Sequence, residues 1–350
     1  MSKTKRSIRR VFWFLALVLF VSMGYLVKLV VVDRDSIVTS SYNRRLNYVD
    51  ESIQRGDILD ENGIVLAEDL IAADGTKTRS YPYGRTAGHI TGYSDKGKSG
   101  IEASENFVLN TVDHNLLQRG KALFTGELPK GNSVVLTVDI TLQEKAAQLL
   151  DGANGAIVVM EPSTGRILAL YGYPDYDPNT ILEDWDALQT AQDSPLLNRV
   201  TQGLYPPGST FKMVTALAAM EYLEDWENFI YDCTGEASFT DKEIHCYNNR
   251  AHGTVDMAEA LATSCNCYFA ALAEKIGAEN LLKTMEEVGM TAVYGMELPV
   301  SLNKVGLTAD AADNELVETS IGQGKTVVTP LYMAMLISAV ANDGIMMQPY

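Results

Sequence analysis

Ser209 and Lys212 stand three residues apart in Pro206-Pro207-Gly208-Ser209-Thr210-Phe211-Lys212. A serine hydroxyl is a poor nucleophile at neutral pH and needs a base within reach. At a spacing of three, both side chains lie on one helix face, so the amine can reach the hydroxyl. The amine must be neutral to accept the serine proton. An apolar pocket and the positive end of a helix dipole both push a lysine toward that form. The prolines and glycine break the preceding structure, and the apolar run from Phe211 to Leu223 reads as a buried helix. The chemistry this suits is nucleophilic catalysis through a serine.

By itself the four-residue pattern also fits an N-cap serine with an incidental lysine. It recurs at Ser2 to Lys5, in a basic tail, and at Ser301 to Lys304, which follows Pro299 and reads as a turn. Neither opens an apolar helix. Other catalytic patterns fail. Pro207 stands where a nucleophile elbow needs glycine, and there is no His-Glu-x-x-His. Four histidines leave few candidates for a Ser-His-Asp triad. Gly324-Lys325-Thr326 is no phosphate loop, because Thr319 occupies the first glycine position.

The wider context resembles the class B penicillin-binding proteins, which lack a glycosyltransferase domain. Ser209-Thr210-Phe211-Lys212 resembles their nucleophile box, and Ser264-Cys265-Asn266 resembles their second box, Ser-x-Asn. The segment from Gly155 to Ala169 resembles the hairpin that opens their transpeptidase domain. Ser320-Ile321-Gly322-Gln323-Gly324 and Thr329-Pro330 resemble a segment downstream of the second box. Arg55-Gly56-Asp57-Ile58-Leu59-Asp60 with Asn62-Gly63 is similar to their N-terminal module.

The resemblance implies a membrane-anchored D,D-transpeptidase. Ser209 is the implied nucleophile and Lys212 its base. Ser264 would relay a proton between Lys212 and the leaving amine, and Asn266 would hydrogen-bond the substrate peptide. The implied partners are peptidoglycan stem peptides, β-lactams that mimic their D-Ala-D-Ala end, the lipid bilayer and a membrane glycan polymerase. No metal or organic cofactor is implied. Taken without the resemblance, Ser264 reads as a capping or buried helix serine and Asn266 as a structural amide. Gly322, Gln323 and Gly324 read as a structural turn. Tyr205 and the loop from Tyr173 to Asn179 read as packing rather than cleft lining.

The family has a third box, Lys-Thr-Gly, on a strand beside the nucleophile, and this sequence has none. In Gly324-Lys325-Thr326, Val327 follows where glycine is needed. In the family the third box and last sheet strands come after a point equivalent to Tyr350, so the expectation is a C-terminally truncated chain. Two alternatives stand beside the transpeptidase: a serine β-lactamase with a carboxylated lysine, and a non-catalytic membrane scaffold or β-lactam sensor.

The elements that must position these residues can be read in outline. Asp60-Glu61-Asn62-Gly63 is a turn between short strands. Ser133 to Val138 reads as a strand and Leu142 to Leu150 as a helix. Ala156 to Met160 and Arg166 to Tyr171 read as two strands, apolar enough to be central in a covered sheet. Further helices are expected over Ser209–Leu223, Met257–Ile276, Ala278–Val288 and Pro330–Asn342. The class is α/β or α+β. The resemblance sharpens it to the transpeptidase/β-lactamase-like fold, an antiparallel sheet between helical layers. The expected division is a tail over 1–10, an anchor over 11–32, a β-rich pedestal over 33–132 and the transpeptidase domain over 133–350.

Formal net charge is −17. Lys3, Lys5, Arg6, Arg9 and Arg10 are the charges of the first ten residues, so the remainder carries −22. That balance argues against nucleic acid as a partner. Val11 to Val32 would span about 33 Å as a helix, roughly one bilayer core. The basic flank orients it with the N-terminus inside and the bulk of the chain outside. A cleaved signal peptide ending near Ser22-Met23-Gly24 is the competing reading, but the apolar run continues past it. Cys233 and Cys246 are either a disulfide closing a short loop or buried free thiols. Cys265 and Cys267 on one helix should not pair. A zinc site from Cys233, His245, Cys246 and His252 would match no standard ligand spacing.

Overall fold

The structure is a computed structural model, and it describes residues 3–31, 53–112, 128–239 and 242–350. The parts of the expected tail, anchor and pedestal that fall at 1–2, 32–52 and 113–127 lie outside the described residues.

Lys3–Val31 is one helix, and its Arg10–Lys28 stretch is long and apolar enough to cross a membrane, with mean hydropathy 2.0 and none of it buried. The next described segment builds a four-stranded sheet in the order Lys77–Ser80, Val65–Ile71, Ile58–Leu59, Val134–Val135, the last pair parallel. The predicted turn is present, and Asp60 makes it. Its Oδ1 accepts from the N–H of Asn62 (2.8 Å) and Ile64 (2.7 Å), while Gly63 takes the positive φ the turn needs. Asp60 Oδ2 accepts from Ile140 N (3.3 Å), which joins this module to the next helix.

A buried ion cluster holds the module together. Glu102 accepts from Arg55 Nε (2.6 Å) and Arg79 Nε (2.7 Å), and Arg79 Nη1 reaches Asp69 (3.2 Å). Nothing in the local pattern marks these four charges as buried; only the fold brings them together.

The expected strand over 133–138 shortens to Val134–Val135. The helix expected from Leu142 starts at Ile140, because Asp139 caps it by accepting from the N–H of Thr141 and Leu142. Gly155–Met160 and Ile167–Tyr173 form the predicted antiparallel hairpin, paired from Gly155↔Tyr173 to Met160↔Ile167. Only one strand is covered as expected: Ile167–Tyr173 is largely buried against the Ile140–Leu150 helix, whereas Gly155–Met160 is half-buried along its length and packs on the Pro330–Ala341 helix. Among the described residues this sheet has two strands. Tyr350 exchanges backbone hydrogen bonds with Gly165 and Ile167.

The largest apolar cluster surrounds the Lys212–Tyr222 helix. Phe211, Val214 and Ala218 pack with Tyr268, Phe269 and Leu272 of the Asn266–Ile276 helix. Two helix expectations are corrected here. The first turn of the Ser209 helix is a 3-10 turn, Gly208–Phe211, and the α-helix begins at Lys212. The single helix expected over Met257–Ile276 is two, Met257–Ala262 and Asn266–Ile276. The break is a Schellman closure. Cys265 N donates to Ala260 O (2.8 Å), Ser264 N donates to Leu261 O (3.2 Å), and Ser264 takes the left-handed conformation at φ 53°. A serine in that region costs about 1–2 kcal/mol relative to ordinary backbone, so packing on both sides must enforce it.

Candidate active site

Three segments meet at the Lys212 amine. The 3-10 turn presents Ser209 at the surface, while Lys212 one turn later is only 1% exposed. The Schellman turn aims both oxygens of Ser264 inward, and the next helix opens with Asn266. Lys212 Nζ lies 3.3 Å from Ser209 Oγ, 3.0 Å from Ser264 Oγ, 2.7 Å from Ser264 O and 2.6 Å from Asn266 Oδ1. All four predicted site residues are thus brought together.

The donor and acceptor inventory shows what this can do. Ser264 O and Asn266 Oδ1 can only accept, so they claim two N–H groups of the lysine. The remaining direction of the nitrogen faces two hydroxyls, which can either donate or accept. A neutral Lys212 therefore has its lone pair where Ser209 or Ser264 can deliver a proton. Asn266 is oriented by its other end, since Nδ2 donates to His245 O (2.8 Å). Burial pushes the Lys212 pKa down to about 8, against the opposing pull of the nearby Cys265, Cys246 and Cys267 sulfurs. About one lysine in ten would then be neutral at pH 7.

Gly208 and Gly322 support the nucleophile turn. Gly208 N donates to Gly322 O (2.9 Å), and a Cβ on Gly322 would lie 1.9 Å from Gly208 O. Ser320 O accepts from Thr215 Oγ1 (2.7 Å), which pins that segment to the Lys212 helix. Sequence reading took Gly322–Gly324 as a turn with no link to the site; the signal for the link was the pairing of two glycines where backbones must touch.

The other candidates lie apart from this centre. Lys325 pairs with Glu315, and buried Thr326 Oγ1 accepts from Gly306 N (3.0 Å). Ser301 Oγ donates to Gln202 O (3.0 Å). In the Tyr173–Asn179 loop, Tyr176 is buried, with its hydroxyl on Gly88 O (2.8 Å), so that loop packs on the Gly84–Thr91 helix. All four cysteines are free and buried, and Cys233 Sγ stands 3.7 Å from Cys246 Sγ, so they are thiols rather than a disulfide. His245 faces Glu236 and Glu243 at 3.9 and 3.7 Å, and Cys265 takes the place considered for it beside Cys233, Cys246 and His252.

A buried lysine within reach of two serine hydroxyls is an arrangement suited to acyl transfer through a serine. Residues 155–350 match the profile of the penicillin-binding protein transpeptidase domain, and residues 55–134 match the penicillin-binding protein A dimerisation domain. The peptidoglycan D,D-transpeptidase PbpA of Mycolicibacterium smegmatis is 33% identical over 339 residues, covering 90% of this chain and 68% of that protein. MrdA of Acinetobacter baumannii, also a peptidoglycan D,D-transpeptidase, is 31% identical over 78% of this chain and 47% of its own length. Penicillin-binding protein A of M. tuberculosis, solved as an imipenem acyl-enzyme, superposes with a TM-score of 0.78 at 31% identity, over 86% of this chain and 73% of that one. The chain belongs to the penicillin-binding protein family, of the class B type, and has its transpeptidase fold.

Proposed function

We propose that this chain carries the acyl-transfer centre of a membrane-anchored D,D-transpeptidase. The observation that carries the reading is the reach of Lys212 Nζ to both Ser209 Oγ and Ser264 Oγ from a buried position. Neutral Lys212 takes the Ser209 proton as the oxygen attacks the penultimate D-Ala carbonyl of a stem peptide. Collapse of the tetrahedral intermediate expels the terminal D-Ala, whose amine takes a proton from Lys212 through Ser264. An amine from a neighbouring stem then resolves the ester and forms the cross-link. Asn266 has a second N–H on Nδ2 beyond the one given to His245, and that is the group for a substrate carbonyl. The Lys3–Val31 helix would be the single membrane pass, with the bulk of the chain extracytoplasmic. The 33–132 pedestal would set the catalytic part, 133–350, at its height above the bilayer. A glycan polymerase that supplies nascent strands is the matching partner.

Labelling with fluorescent penicillin tests the assignment. Ser209→Ala should abolish it, and persistent labelling of that variant would refute the reading. Adduct lifetime separates the alternatives: rapid release would favour a β-lactamase, and no adduct a scaffold.

A further inference from the structure

Beside the Ser264 turn, four side chains from separate segments converge. Cys233 ends the Tyr231–Cys233 strand, Cys246 follows Lys242–His245, His252 precedes Gly253–Val255, and Cys265 caps the Asn266–Ile276 helix. Their ligand atoms all lie within 4.8 Å of one another. Cys233 Sγ is 3.7 Å from Cys246 Sγ and 3.6 Å from His252 Nδ1, and Cys246 Sγ is 3.8 Å from Cys265 Sγ.

Bonded sulfurs would stand about 2.05 Å apart. Ligands of a tetrahedral zinc ion are spaced differently. Zn–S bonds of about 2.3 Å and Zn–N bonds of about 2.05 Å put two sulfurs about 3.8 Å apart, and a sulfur and a nitrogen about 3.5 Å apart. The three separations fall on those values. The three sulfurs are buried and His252 is half-buried, as a closed structural site requires. Cys267 is the fourth thiol, 3.6 Å from Cys246 Sγ, but it donates to Ile244 O and lies outside the ligand set.

We propose that Cys233, Cys246, His252 and Cys265 bind one zinc ion that fastens the Tyr231–Val255 strands to the Ser264 turn. His252 ligates through Nδ1. The thiol protons leave to solvent on binding, and no electrons move. Three thiolates favour zinc over magnesium or calcium. The region has reason to need a cross-link, since its strands pair only two by two and run three or four residues each. Cys265 lies between Ser264 and Asn266, both of which hold the Lys212 amine, so the ion also fixes the segment that positions the base.

The test uses the full chain, purified in detergent without oxidant. Metal analysis should give one zinc per chain. Cobalt(II) in its place should give near-ultraviolet thiolate charge transfer and the strong visible bands of a tetrahedral ion. Cys233→Ser and His252→Ala should each lose the ion, while Cys267→Ser keeps it. Where a variant fails to fold, the unaltered chain decides: after chelation, zinc should raise its Tm and shield three thiols from alkylation, and magnesium should do neither. A chain without stoichiometric zinc and without the tetrahedral cobalt spectrum overturns the proposal, as does a Cys233–Cys246 disulfide in freshly prepared protein. None of these readings uses penicillin, so failure of the acyl-transfer reading and failure of the zinc site are separable.

Discussion

Raising the pH from 7 to 9 should speed acylation of Ser209 about tenfold in all and then stop helping. Only neutral Lys212 can accept the serine proton, and burial pushes its pKa down to about 8. The neutral fraction is then about 0.1 at pH 7, about 0.5 at pH 8 and about 0.9 at pH 9. A lysine left at its ordinary value near 10.4 would behave otherwise, gaining about tenfold per pH unit across the whole range. The assay is the second-order rate of labelling by a fluorescent penicillin, taken by rapid quench on the full chain in detergent. Lys212→Met serves as control and should lose about 10²–10⁴ in rate together with the pH dependence. A profile still climbing tenfold per unit at pH 9, or one flat from pH 6, would refute the argument that burial sets the base.

The same shift has a stability consequence. The folded chain gives up the Lys212 proton near pH 8 and the unfolded chain near 10.5, so the unfolded state holds more protons between those values. Stability measured in urea should therefore rise with pH across that window, by up to about 3 kcal/mol, and Lys212→Met should flatten the rise. Ser264→Gly should be more stable than Ser264→Ala by about 1 kcal/mol in thermal melts, because glycine relieves the left-handed backbone, while both acylate poorly. Gly322→Ala should push the nucleophile turn out of place, slowing acylation and costing about 2 kcal/mol or more in urea unfolding. Glu102→Gln removes the carboxylate shared by two buried guanidinium groups and should cost about 3–5 kcal/mol, read as a lower Tm.

The serine–lysine pair was legible because it depends only on local spacing. The turn at Asp60–Gly63 and the hairpin over 155–173 were legible for the same reason: turn residues and apolar runs are local signals. The break at Ser264 was not. Met257 to Ile276 is apolar enough to read as one helix, and a serine in place of the usual C′ glycine conceals the closure. The buried charges of Arg55, Arg79, Asp69 and Glu102 come from a loop, two strands and a helix, so no local pattern marks their pairing. The contact of Gly322 with Gly208 spans more than a hundred residues. Its only local trace is a glycine whose reason lies elsewhere in the chain. Cys265 was read on one helix with Cys267. The Schellman turn instead makes Cys265 a cap that faces Cys233, Cys246 and His252.

The central claim, that Ser209 is an acyl-transfer nucleophile served by Lys212, is tested most directly by mass. The full chain is incubated with benzylpenicillin, its intact mass is followed over time, and the adduct is mapped by peptide fragmentation. The account predicts a single penicilloyl group on Ser209 that persists for minutes or longer and is absent from Ser209→Ala. An adduct on another residue, or none on a folded chain at pH 9 where Lys212 is mostly neutral, would contradict it.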